Sequence, residues 1–133
     1  MARRLPLTNP DYQAFYGFID QHELRLQRCS SCGVVRFPVS PVCHACFSDD
    51  WEWQRCSGRG RVNSWVVFRR QYFEDFPAPY AVVQAEMEEG PRLTANLPGG
   101  DVESVTIGMP VTVIYEDLPG GRALLQFAPG GNA

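Results

Sequence analysis

Apolar and polar positions along this chain repeat with two different periods. Around residues 10–21 the spacing is helical: Phe15, Ile19 and His22 stand at i, i+4 and i+7, and Tyr12, Tyr16 and Phe18 widen the aromatic surface. Asn9-Pro10-Asp11 supplies the start of a helix, with a capping side chain, a proline at the first helical position and an acidic residue in the first turn. So aromatic a face on a short helix needs cover, from its own domain or from another subunit. The period then drops to two. Leu24, Leu26 and Arg28 alternate with Glu23, Arg25 and Gln27, which predicts a short strand, and Val34-Val35-Arg36-Phe37-Pro38 predicts a second.

Beyond residue 57 the texture is strands separated by glycine and proline turns. Ser57-Gly58-Arg59-Gly60 reads as a turn, and strands are predicted over residues 61–68, 80–87, 92–97, 109–116 and 122–127. A proline-rich loop, Phe73 to Pro79, joins the first two, and Pro129-Gly130-Gly131-Asn132-Ala133 is expected to fray. Five strands with no helix long enough for a parallel crossover point to a small closed barrel of the OB type.

Cysteine changes the picture between the helix and the barrel. Cys29-Ser30-Ser31-Cys32 and Cys43-His44-Ala45-Cys46 are two C-x2-C knuckles with ten residues between them. Each puts two thiolates on one tight turn at a spacing that suits metal–sulfur bonds of roughly 2.3 Å, and two such turns complete a tetrahedral shell. Zinc is the expected ion, and iron in a rubredoxin-like site has the same ligand geometry. Two disulfides of a secreted protein are the competing reading, opposed by the unpaired Cys56 and by Met1-Ala2-Arg3-Arg4, which has no apolar stretch behind it and predicts no signal peptide. A redox C-x2-C needs only one knuckle. Four thiolates leave no position for water or substrate, so the metal is expected to be structural. His44 is expected to shape its turn, and Cys56 to be a small buried residue.

The expected architecture is therefore mainly β with an N-terminal helix: a helical segment over residues 1–22, a rubredoxin-like zinc ribbon over 23–56 and a five-stranded OB-fold barrel over 57–133. The 133 residues, 44% hydrophobic and 20% charged, suffice for one small core. No apolar run could span a bilayer, and a cytoplasmic setting is expected. All 12 basic residues are arginine. Residues 1–70 carry a net +4 and residues 71–133 a net −7. An acidic barrel half disfavours a long nucleic-acid track, although the aromatic strand around Trp65 and Phe68 keeps a single-strand-binding module as the alternative function.

Catalytic signatures are missing. There is no G-x-S-x-G elbow, H-E-x-x-H or phosphate-binding glycine loop, and neither histidine has an obvious nucleophile beside it. Glu88-Glu89, in a turn with Gly90-Pro91, reads as solvated loop charge, and Cys56 has no neighbouring base to make it a nucleophile. Arg59, Arg61, Arg69 and Arg70, at the two ends of the first barrel strand, are the candidates for a phosphate-bearing ligand; surface charge or ion pairing with the acidic half is the other reading.

The ordered set Gln27-Arg28-Cys29-Ser30-Ser31-Cys32-Gly33, Phe37-Pro38, Cys43-His44-Ala45-Cys46, Trp53 and Ser57-Gly58-Arg59-Gly60-Arg61-Val62 resembles the DUF35, or acyl-CoA-associated zinc-ribbon and OB-fold, family. Pro79-Tyr80-Ala81-Val82-Val83, Glu88 to Leu93, Ile107-Gly108-Met109-Pro110-Val111 and Tyr115-Glu116-Asp117 extend the resemblance through the barrel. Val39-Ser40 departs from the proline and arginine that the family often has there. The resemblance implies a subunit that is not catalytic alone. It implies assembly with a thiolase-fold partner, such as a thiolase or a lipid-transfer-protein-type retro-aldolase of steroid side-chain degradation, in a heterotetramer of two large and two small chains. It also implies that the small chain supports the partner's folding and helps to hold coenzyme A or its thioester, for which Arg59, Arg61, Arg69 and Arg70 are the expected contacts. Tyr12, Phe15, Phe18 and Ile19, with Phe73, Phe76 and Tyr80, are the expected aromatic anchors of that interface.

Overall fold

In a computed structural model, which describes residues 10–69, 80–98 and 102–130, one helix and eight strands form two sheets around a shared core. The helix α1 covers Pro10–Asp20. Its end is fixed by backbone bonds from Gln21 N–H and Glu23 N–H to the Phe18 carbonyl and from His22 N–H to the Ile19 carbonyl, with His22 in the left-handed region at φ 62°. That is the closing geometry in which glycine is usual. His22 therefore does not continue the helical face. It sits beyond the helix, its ring stacked on Tyr115 at 4.9 Å and its Nε2 2.6 Å from Asp117 Oδ1.

The first sheet has the order β2-β1-β3, from β1 (Arg25–Cys29), β2 (Val35–Arg36) and β3 (Trp51–Arg55), all antiparallel. The predicted pattern lacks β3. Its Trp51 and Trp53 are only half-buried and its other side chains polar, so the strand is set by pairing with β1 across residues 25–29 and not by an apolar stripe of its own.

The second sheet holds β4 (Arg59–Phe68), β5 (Tyr80–Met87), β6 (Arg92–Leu97), β7 (Pro110–Leu118) and β8 (Arg122–Pro129) in the order β6-β5-β4-β7-β8. The two ends of that order, β6 and β8, pack side by side, giving the five-stranded OB-like barrel. Alternation sets the inward face: Ala81, Val83, Ala85 and Met87 of β5, Val111 and Val113 of β7, Ala123 and Phe127 of β8. Gly58 forms the turn before the barrel at φ 79°, while Arg59 and Gly60, expected in that turn, already belong to β4. At Gly60, β4 lies tight against β5: a Cβ there would lie 2.8 Å from the Glu86 carbonyl oxygen and 2.9 Å from Met87 Sδ.

The helix joins the two sheets. Phe15 and Ile19 point inward into the same packed cluster as Leu24 and Leu26 of the ribbon side and Val83 and Phe127 of the barrel. Asp20 then accepts hydrogen bonds from Arg122 Nε–H at 3.0 Å and from the Ala123 backbone N–H at 2.9 Å. The Cys56 N–H donates to the Leu24 carbonyl at 2.8 Å, closing the ribbon where the barrel begins. Among the described residues no helix is long and apolar enough to cross a membrane.

Candidate metal centre and neighbouring sites

The end of β1 and the turn after β2 bring the two knuckles face to face. The thiol sulfurs of Cys29, Cys32, Cys43 and Cys46 all lie within 4.8 Å of one another, with Cys29 to Cys46 and Cys32 to Cys43 at 3.6 Å. A tetrahedron built on 2.3 Å zinc–sulfur bonds has edges of about 3.8 Å, so the four sulfurs already stand at ligand spacing. Local backbone geometry creates this. In each knuckle the residue after the second cysteine donates back to the first: Gly33 N–H to the Cys29 carbonyl and Phe47 N–H to the Cys43 carbonyl, both at 2.9 Å. Backbone N–H groups of Cys32 and Ser31 also point at the Cys29 sulfur, outweigh its burial and draw the thiol down to about 6. Cys43 is lowered in the same way by the N–H groups of Cys46 and Ala45. Such donors favour thiolate, the form that binds metal. The residues present fit a structural zinc ion, whose chemistry would be to cross-link the ribbon. His44 is exposed and does not belong to the sulfur cluster.

Cys56 is half-buried outside that cluster. Burial, with the charge of Glu89 adding to it, pushes its thiol up to about 11, the opposite of what a nucleophile needs.

The three candidate ligand arginines among the described residues have partners inside the chain. Arg59 makes a two-pronged pair with Glu88, at 2.9 and 3.1 Å, which lowers the Glu88 carboxyl below the usual range. Arg69 pairs with Glu103. Arg61 donates to the Gly108 carbonyl at 3.0 Å and is otherwise exposed. Arg70 lies outside the described residues. Arg59 and Arg61 border a groove of about 440 Å³ that Glu86, Met87 and Ile107 also line. The Glu88-Glu89 pair is likewise engaged, since Glu89 accepts the Ser57 N–H at 2.9 Å.

The aromatic anchors divide. Phe15 and Ile19 are 4% and 3% exposed, buried in this chain's own core, which takes both out of the expected contact surface: the helix lies against the barrel and covers its inner face itself. Phe18 is half-buried, edge-on to Trp53 at 5.4 Å and beneath the Arg25 guanidinium at 4.9 Å. Tyr12 is half-buried beside Phe15 and Tyr16. Tyr80 stacks on Phe68 at 5.0 Å. Phe73 and Phe76 lie outside the described residues. Sequence reasoning misses Phe47, which is 79% exposed at the tip of the second knuckle.

A four-cysteine ribbon joined through a shared core to a five-stranded OB-like barrel defines a class of small zinc-ribbon proteins. The family described as "ChsH2, rubredoxin-like zinc ribbon domain" matches residues 19–52, and "ChsH2, C-terminal OB-fold domain" matches residues 53–116. A "DUF35 domain-containing scaffold protein" of Methanothermobacter thermautotrophicus is 34% identical over 98 residues, covering 71% of this chain and 73% of that protein. The chain belongs to this ChsH2/DUF35 zinc-ribbon and OB-fold family.

A "probable enoyl-CoA hydratase alpha subunit" of Thermomonospora curvata is 34% identical over 127 residues, 96% of this chain. The chain spans only 40% of the length of that relative. Among solved structures, a chain of "Ltp2-ChsH2(DUF35) aldolase" superposes with a TM-score of 0.86 at 34% identity, over 94% of this chain and 98% of that one.

Proposed function

We propose that this chain is a zinc-containing accessory subunit, not catalytic alone, that binds and supports a thiolase-fold enzyme acting on CoA thioesters. The reaction of the assembly is retro-aldol or thiolytic cleavage of a carbon–carbon bond, in steroid or lipid breakdown, with two large and two small chains. The observation that carries this reading is the near end-to-end likeness to a chain of an aldolase whose name joins two components, Ltp2 and ChsH2. Relatives named as a scaffold and as an alpha subunit support it. So does the chemistry: Cys56 is held as a neutral thiol, and Glu88 is tied to Arg59. Within this reading the groove beside Arg59 and Arg61 is where a CoA phosphate is met, with Arg61 the freer of the two cations.

The test is a pull-down of the tagged chain from its native extract, with the retained proteins identified by mass spectrometry and bound metal quantified. A thiolase-like protein in near-equal amount, with about one zinc per chain, is expected. Nucleic acid or ribosomal proteins without a thiolase would overturn the reading. Arg61→Glu is expected to weaken CoA-thioester binding by the assembled complex, and unchanged affinity removes Arg61 from the contact.

A further inference from the structure

The two knuckles are built alike, and one residue breaks their likeness. Gly33 and Phe47 each follow the second cysteine of a knuckle, each donates its N–H back to the first cysteine's carbonyl at 2.9 Å, and both are left-handed, at φ 80° and 64°. Glycine enters that region freely, whereas a bulky side chain there is a genuine outlier. Phe47 occupies it and gains little cover within the chain, being 79% exposed. Nor does it dangle: Cys46 precedes it, and the next residue, Ser48, accepts the Cys43 N–H on its carbonyl at 2.9 Å and the Ser31 hydroxyl on its own Oγ at 2.9 Å. A ring carried into water on a backbone that these bonds pin, in a conformation its sister position gives to glycine, is presented to something outside the chain. Val42, before Cys43, adds a second exposed apolar side chain at the same tip, and Asp49 and Asp50 follow as exposed acids.

We infer that the tip of the second zinc knuckle is a docking site in which Phe47 enters an apolar socket, rimmed by basic side chains, on the partner enzyme. This inference rests on the accessory-subunit reading and names the surface that makes the contact. The exposed Asp49 and Asp50, two and three residues beyond Phe47, disfavour phosphate backbones and anionic lipid and favour a protein surface with a basic rim. Exposed aromatics on rigid supports are the usual anchors of such contacts.

The test uses the zinc-loaded full chain and the thiolase-fold protein retained in the pull-down, purified and titrated against wild type, Phe47→Ala and Phe47→Gly. Both variants are expected to bind about thirtyfold or more weakly. Thermal midpoints of the chain alone are expected to be unchanged for Phe47→Ala, and unchanged or higher for Phe47→Gly, because glycine accepts this backbone without strain. Binding of both variants within about threefold of wild type would leave the complex standing and overturn Phe47 as its anchor. Failure of the wild-type chain to bind removes the accessory-subunit reading, and this inference with it. Phe47-dependent self-association in ultracentrifugation, or Phe47-dependent binding to anionic vesicles or a single-stranded oligonucleotide, gives the ring another occupant and overturns the inference as well.

Discussion

Phe127 of β8 is fully buried in the packed core that helix, ribbon side and barrel share. Truncation to alanine there is expected to cost about 3–5 kcal/mol, measured by denaturant unfolding. Ionisable residues give smaller and more diagnostic effects. The Arg59 side chain hydrogen-bonds Glu88 and holds its carboxyl below the usual range. This pair therefore adds stability above the ordinary carboxylate pKa that is lost as pH falls through the lowered one. Both side chains are open to water, so the contribution is small, but Arg59→Ala is expected to move the Glu88 titration up towards the ordinary carboxylate range, with the Ser57 contact still holding it down in part, followed by NMR. Cys56, with its thiol pushed up to about 11, is expected to resist iodoacetamide at neutral pH in the zinc-loaded fold and to react once the chain is unfolded. The metal cysteines were legible in the sequence because a knuckle is a local object: four residues set the turn and its sulfurs. For the arginines the sequence left two readings open, and Arg59 and Arg69 follow the ion-pairing one; which acids they meet was not legible, since Glu88 and Glu103 lie some thirty residues away. Phe47 stood between these cases. Its signal was available as C-x2-C-Phe beside C-x2-C-Gly, but it acquires meaning only once both backbones are seen to be left-handed.

At the scale of elements, α1 is tied to the barrel by its last residue as well as by the burial of Phe15 and Ile19. Asp20 takes both the Arg122 guanidinium and the Ala123 N–H, so Asp20→Ala leaves a part-buried backbone donor and a cation without their partner. A loss of about 1–3 kcal/mol is expected, read from the shift of the thermal midpoint. The periodicity of residues 12–19 predicts the helix and its apolar face, yet it sets Phe15 and Ile19 against a partner, whereas their cover comes from β8 and β1 of the same chain. Strands β5 and β6 were readable to the residue because their alternation is buried on one face. The strand β3 was not, because its order is imposed by β1 and the tryptophans it carries are only half-covered.

For the whole molecule, the metal and the core are linked. Residues from the helix, the ribbon side and the barrel lie in one packed cluster. Stripping zinc with a chelator is therefore expected to do more than loosen the knuckles: the fluorescence of Trp51 and Trp53 shifts to the red, and the unfolding midpoint of the barrel falls with it. A ribbon that unravels alone, with the barrel transition unmoved, would contradict the shared core. The two family matches meet between residues 52 and 53, in the middle of β3. That seam is a boundary of description and not of packing. A recombination event that exchanged the ribbon and kept the barrel would have to rematch Phe15, Ile19, Leu24 and Leu26 to a foreign set of barrel side chains in a single step. Ribbon, helix and barrel are thus expected to be inherited together, moving through gene fusions as one block.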